Sequence, residues 1–185
     1  MKQFLLLILI ALTISISTGC KSKKPQFGKG SMHPDSIPLQ EFTDTVRMSM
    51  TEKGVKRWSL ITTHIVRYKT KGGTVVTPVH VTYYTNTGLS ILTADTGIIS
   101  SAQDTLEANG NVAIKTYDKK EVTTTRIVWH KSTDKVESDR AVKMITAEGD
   151  VYTGTGFKAN TNLSEWRILK NVKARIKNPN KGLLE

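Results

Sequence analysis

From about residue 45 onward, apolar and polar positions alternate with a period of two. Val46, Met48 and Met50 are separated by polar residues, as are Trp58 and Leu60, and Val66 and Tyr68. Val79, Val81 and Tyr83 alternate with His80, Thr82 and Tyr84. Side chains two apart share one face of a strand, and the abundant Thr, Val, Ile, Tyr and Trp favour a pleated, half-buried surface. Turn chemistry separates the runs at Gly72-Gly73, Asn86-Thr87-Gly88, Asn109-Gly110-Asn111, Asp118-Lys119-Lys120 and Glu148-Gly149-Asp150. Helix signals are scarce. The pattern predicts an all-β domain over residues 38–177, built as a sandwich, barrel or roll.

A repeat sharpens the prediction. Residues 92–116, 122–146 and 152–176 align without gaps. Leu106, Val136 and Trp166 form one column, and Ala108, Ser138 and Ile168 a second. Val112, Val142 and Val172 form a third, and Ile114, Met144 and Ala174 a fourth. Thr93, Thr123 and Thr153 also align, as do Asp104 and Asp134. Within each copy the apolar residues sit two apart on either side of a short turn. The columns therefore describe stacked antiparallel hairpins that share one apolar face. Residues 58–84 resemble a fourth copy with a shifted register.

The ends determine the compartment. Met1-Lys2-Gln3 is short and basic, and residues 4–16 are an uncharged run of mostly apolar residues. A spanning helix needs ~20 apolar residues, so the run reads as the apolar core of a secretory signal over residues 1–19. Ser17-Thr18-Gly19 precedes Cys20, the only cysteine. This resembles the bacterial lipobox, in which the chain is cut before a Cys that carries a diacylglycerol. Cys20 is thus the expected lipidation site. Residues 20–37 read as a tether rich in Lys, Gly, Ser and Pro, able to reach ~50 Å if extended, and residues 178–185 as a disordered tail. With a single cysteine no intrachain disulfide forms, so stability must come from packing.

The formal net charge is +11, and Lys2 is the only charge within residues 1–19. Such a surplus favours anionic partners or simply solvates the surface. The cations form no arginine-rich arm with interleaved aromatics, so nucleic acid is not the expected partner. Anionic lipid or phosphorylated glycolipid suits an exported chain better.

Catalytic signatures are missing. His33, His64, His80 and His130 have no metal-ligand spacing. There is no Gly-x-Ser-x-Gly elbow and no phosphate loop. Gly154-Thr155-Gly156 lies within strand sequence and reads as a bulge or tight bend, not a dinucleotide site. Glu107, Glu137 and Asp139 fall at outward-facing repeat positions, and Asn162-Leu163-Ser164 reads as loop chemistry. No catalytic residue, metal site or cofactor is expected.

The order of these pieces resembles the LptC family, the membrane-anchored periplasmic component of the lipopolysaccharide export machine, over about residues 38–176. Residues 54–68 look like its opening strand pair. Val79-His80-Val81-Thr82-Tyr83-Tyr84 looks like its next strand. The stretch Leu92-Thr93-Ala94-Asp95-Thr96-Gly97-Ile98-Ile99, followed by Leu106-Glu107-Ala108-Asn109-Gly110-Asn111-Val112, is the most specific. Gly154-Thr155-Gly156-Phe157 resembles the family's Gly-x-Gly-Phe turn ahead of the Trp166 strand. The Asn-Gly-Asn hairpin also occurs in the related soluble bridge proteins, and the single anchored domain favours LptC.

The resemblance implies a twisted β-jellyroll with an open apolar groove that binds the acyl chains of lipid A. It implies a groove lined by Leu106, Ala108, Val112, Ile114, Val136, Val142, Met144, Trp166, Ile168 and Val172, with Glu107, Lys143 and Lys173 facing out. It implies docking edges at Val46, Met48 and Met50 and at Val172, Ala174 and Ile176. The first edge would meet the permeases of an inner-membrane ABC transporter, which supplies the energy, and the second a soluble periplasmic bridge protein of the same fold. Many family members are anchored by a transmembrane helix, whereas here the expected anchor is a lipid on Cys20. That leaves both membranes open to it, although the family role requires the inner one. Two other readings stand beside the conduit: a structural or adhesive surface lipoprotein whose roll has a filled core, and a carbohydrate-processing β-enzyme. The interior separates the first two, because a conduit keeps a lipid-accessible groove.

Overall fold

The computed structural model describes residues 38–68, 73–86 and 88–177. The expected signal peptide, lipidation site Cys20, tether and tail lie outside the described residues. The described chain forms thirteen strands and no helix: β1 (Pro38–Phe42), β2 (Val46–Glu52), β3 (Val55–Thr62), β4 (His64–Tyr68), β5 (Gly73–Thr77), β6 (Val79–Thr85), β7 (Gly88–Ala94), β8 (Thr96–Ser100), β9 (Thr105–Thr116), β10 (Glu121–His130), β11 (Lys135–Ile145), β12 (Val151–Asn160) and β13 (Trp166–Arg175). All pair antiparallel. The sheet does not close on itself, as expected for a jellyroll.

Strand β9 divides the structure into two faces. Its first half pairs with β8, from which a first sheet runs on through β5 and β4 to β1. Its second half pairs with β7, from which a second sheet runs through β6 and β3 to β2. On the other side of β9, strands β10 to β13 each shift register midway. Their halves belong one to each sheet. A bulge bends a strand locally, and four bends in line turn long strands around a corner.

Specific side chains hold that corner. Asn109-Gly110-Asn111, expected as a hairpin turn, lies inside β9 instead. Gly110 (φ 74°) and Asn111 (φ 42°) form a bulge in a continuous strand. Asn-Gly suits both structures, because both need positive φ; here long-range pairing decides for the bulge. Asp95, between β7 and β8, donates its backbone N–H to Gly110 O (3.0 Å) and accepts from Asn111 Nδ2 (2.9 Å). A Cβ on Gly110 would stand 2.4 Å from Asp95 Oδ2. The β7–β8 link and the β9 bulge therefore bend together. At Gly97 there is no room for a side chain, since a Cβ there would lie 2.7 Å from Val79 of β6.

The repeat reappears in the hydrogen bonds. Thr116 N and Thr146 N donate to Lys120 O and Asp150 O, and Lys131 N and Thr161 N donate to Asp104 O and Asp134 O. The second and third copies are each one hairpin with its bulge in the second arm, and in the first copy the arm opposite β9 is split between β7 and β8.

Candidate functional site

Rows of apolar side chains line the space between the sheets. On the second sheet a single cross-strand row runs Met48, Leu60, Val81, Leu92, Ile114, Val122, Met144, Tyr152, Ala174, each opposite the next. It extends from one edge strand, β2, to the other, β13. On the first sheet a row runs Ile99, Leu106, Trp129, Val136, Ala159, Trp166. Apart from Ala174 at the edge, members of both rows are in the buried core or packed against it.

Of the residues named from sequence, Leu106, Ala108, Val112, Ile114, Val136, Val142, Met144 and Ile168 are buried together, and Trp166 is half-buried. Val172 is the exception. It is 55% exposed, because β13 is an edge and no strand lies beyond it. Lys143 and Lys173 are exposed, and Glu107 is half-buried. Val46 and Met48 pack against the core, whereas Met50 is exposed and accepts a hydrogen bond from Trp58 Nε1 (3.2 Å). Exposed large apolar side chains recur at the edges: Leu39 and Phe42 on β1, Met50 on β2, Leu169 and Val172 on β13, and Ile176 just past it.

The sequence reading missed the aromatic centre. Trp129 meets Trp58 edge-on (ring centroids 6.2 Å apart) and Tyr83 edge-on (5.7 Å), and so bridges the two sheets. Tyr152 and Trp166 meet at 5.1 Å towards the β13 edge. Period-two alternation gives each strand's inner face but not which faces meet. Around these rings the interior is nearly filled. Cavities of about 60 Å³ and 20 Å³ adjoin Trp129; the larger has room for about two water-sized groups. Lys131 Nζ lies 5.4 Å from the Trp58 ring centroid beside the larger cavity, and burial lowers its pKa. Tyr83 is pushed up to about 12, first by burial and then by a hydrogen bond to Asp134.

The outer face carries structural ion pairs. Arg126 grips Glu107 through Nε (3.0 Å) and Nη2 (2.8 Å) and reaches Asp139 through Nη1 (3.1 Å). The Arg126 hydrogen bonds hold Glu107 below the ordinary carboxylate range, and Asp139 is held low first by its own backbone and then by Arg126. Arg126 of β10 thus clamps Glu107 of β9 and Asp139 of β11 together. Glu137 pairs with Lys158 (3.3 Å) and His64 with Glu41 (2.8 Å). Among the described residues no cluster could hold a metal ion, and no helix is long and apolar enough to cross a membrane.

The described residues thus form an all-β roll with an apolar interior and open backbone edges at both ends. Its sequence matches the family described as lipopolysaccharide-assembly, LptC-related, over residues 4–177. The chain belongs to that family, and its role lies in lipopolysaccharide transport as a component of the periplasmic bridge. No curated protein matches it significantly.

Proposed function

We propose that this chain takes lipopolysaccharide from an inner-membrane ABC transporter and passes it to a soluble periplasmic bridge protein of the same fold. The observation that carries the reading is the unbroken apolar row from Met48 to Ala174, which joins one open edge to the other. Acyl chains moving along it gain roughly 0.8 kcal/mol per buried methylene. The transporter docks on the β1 and β2 edges and the bridge protein on β13, each by adding a strand. A diacylglycerol on Cys20 anchors the domain to the inner membrane.

One observation favours the second reading, a structural roll with a filled core: the two cavities that adjoin Trp129 between the sheets are small, about 60 Å³ and 20 Å³. In the conduit reading the sheets part as lipid enters, pivoting on the corner at Asp95 and Gly110. Photo-crosslinking in living cells separates the two. Photo-reactive residues at Ile114, Val136 and Met144 should capture glycolipid, and those at Glu107, Lys143 and Lys173 should not. Equal capture from both sets, or none, would sink the conduit.

A further inference from the structure

Trp129 is 3% exposed, and its indole N–H has no hydrogen-bond partner. Among the described residues it is the one buried side-chain polar atom so placed. Indole Nε1 is a donor only, and a buried Trp normally gives that proton to an acceptor. Packing alone does not demand the donor, since a phenyl ring also makes edge-on contacts of the kind Trp129 makes with Trp58 and Tyr83. Both interior cavities touch Trp129. The larger also touches Met48, Gln103 and Lys131, so a cation borders the same space, 5.4 Å from the Trp58 ring. Residues with three kinds of group thus border one cavity: the Lys131 ammonium, the Trp129 indole and the apolar side chains of Met48, Leu60 and Leu106. An anionic acyl lipid carries the complementary set: a phosphate, an ester or amide carbonyl, and a hydrocarbon chain.

We propose that Trp129 Nε1 recognises the carbonyl that joins an acyl chain to its lipid head, with Lys131 taking the adjacent anionic group. This rests on the lipid-transport reading and goes beyond it, because it makes the interior selective for acyl over alkyl chains. No protein group accepts from the indole, so the carbonyl displaces no partner within the protein.

The chain has three tryptophans, hence three indole signals in a proton–nitrogen correlation spectrum, and Trp129→Phe identifies the relevant one. The full chain, held in nanodiscs of ether lipid so that its own anchor brings the only acyl carbonyls before titration, is titrated with lauroyl lysophosphatidic acid or with its dodecyl ether twin. Methyl signals of Leu92 and Ile114 should move with both probes. The Trp129 indole proton should move downfield with the ester alone, and the ester should bind roughly three- to tenfold tighter. Trp129→Phe should erase that preference. Lys131→Gln should weaken both probes equally and leave their ratio intact. If the methyls respond to both probes but the indole does not, and the two bind equally, the carbonyl contact is overturned while the transport reading survives. If the methyls respond to neither, both fall. An unchanged affinity in Lys131→Gln removes the anion contact. Should Trp129→Phe fail to fold, the indole shift of the native chain still decides.

Discussion

Replacing Ala174 by proline separates docking from folding, because donors along β13 alternate in what they face. Thr146 N donates to Asp150 O, and in the same register Ile145 lies opposite Val151 and Met144 opposite Tyr152. Antiparallel pairs alternate between hydrogen-bonded and non-hydrogen-bonded. Met144–Tyr152 is therefore bonded, and Tyr152 turns its amide groups towards β11. Its pairing with Ala174 on the other side is then non-bonded, so the Ala174 N–H points out of the sheet at the open edge. Lys173 and Arg175 bond inward to Thr153 and Val151, and Lys177 N, bound to Asp150 Oδ1 (2.9 Å), continues the alternation. Proline at 174 thus removes no internal ladder bond, and an edge strand tolerates it. A fold cost of about 1 kcal/mol would lower Tm by about 2–4 °C for a domain of this size. An added strand loses one hydrogen bond and keeps an unpaired acceptor, together about 2 kcal/mol or more, which is roughly a 30-fold weaker Kd. Lys173→Pro is the control. It breaks the inward bond to Thr153 and should cost about 3 kcal/mol of fold. Thermal melts read the fold, and titration with the soluble bridge protein reads docking. The reasoning fails if Ala174→Pro destabilises the domain as much as Lys173→Pro does, or if it leaves the Kd unchanged.

Other predictions test the core, the clamp and the anchor. Phe157 is fully buried, so Phe157→Ala should lose about 3–5 kcal/mol of stability by urea unfolding. Glu107 has its folded pKa depressed by Arg126, so its contribution is complete above the unfolded carboxylate pKa and disappears as pH falls through the lower, folded value. Between neutral pH and pH 3 the native chain should lose more stability than Arg126→Met, which lacks the partner; parallel acid profiles would refute the clamp. Cys20→Ala should abolish incorporation of labelled fatty acid and stop normal signal cleavage, and a mature chain that begins elsewhere without lipid would contradict the anchor.

What could be read from the chain follows from the range of the forces involved. Alternation is local, so the inner positions of β9 and β11 were legible one by one. The 30-residue repeat added register, because a Thr at the same repeat position closes both turns alike: Thr116 and Thr146 each accept, through Oγ1, from Lys120 N and Asp150 N. Leu92, Val122 and Tyr152, the first residues of the three copies, duly fall on one cross-strand row. Three features stayed hidden. Strand β1 (Pro-Leu-Gln-Glu-Phe) is exposed along its whole length, so it has no buried alternation to betray it. The bulge in β9 uses residues that equally suit a turn, and only pairing with both β7 and β8 distinguishes them. The contacts of Trp129 with Trp58 and Tyr83 join strands far apart in sequence across the interior, where neither propensity nor period carries information.

The interior and the edges pose one physical problem. A row that stops at Ala174 leaves the inner face of β13 facing water at Val172 and Ile176, 55% and 44% exposed. A strand added to β13 in antiparallel register sets its own inward side chains opposite these, just as β13 sets Ala174 opposite Tyr152. Docking then satisfies the outward Ala174 N–H, covers the exposed apolar groups and lengthens the apolar row in a single step. Within the transport reading, the contact between Tyr152 and Trp166 lies at the point where that row leaves the domain. Those two rings belong to opposite sheets, so lipid passing towards β13 must part them. Replacing Trp166 with a smaller apolar residue should therefore speed the hand-off to the bridge protein while leaving the hydrogen-bonding edge, and so docking, intact.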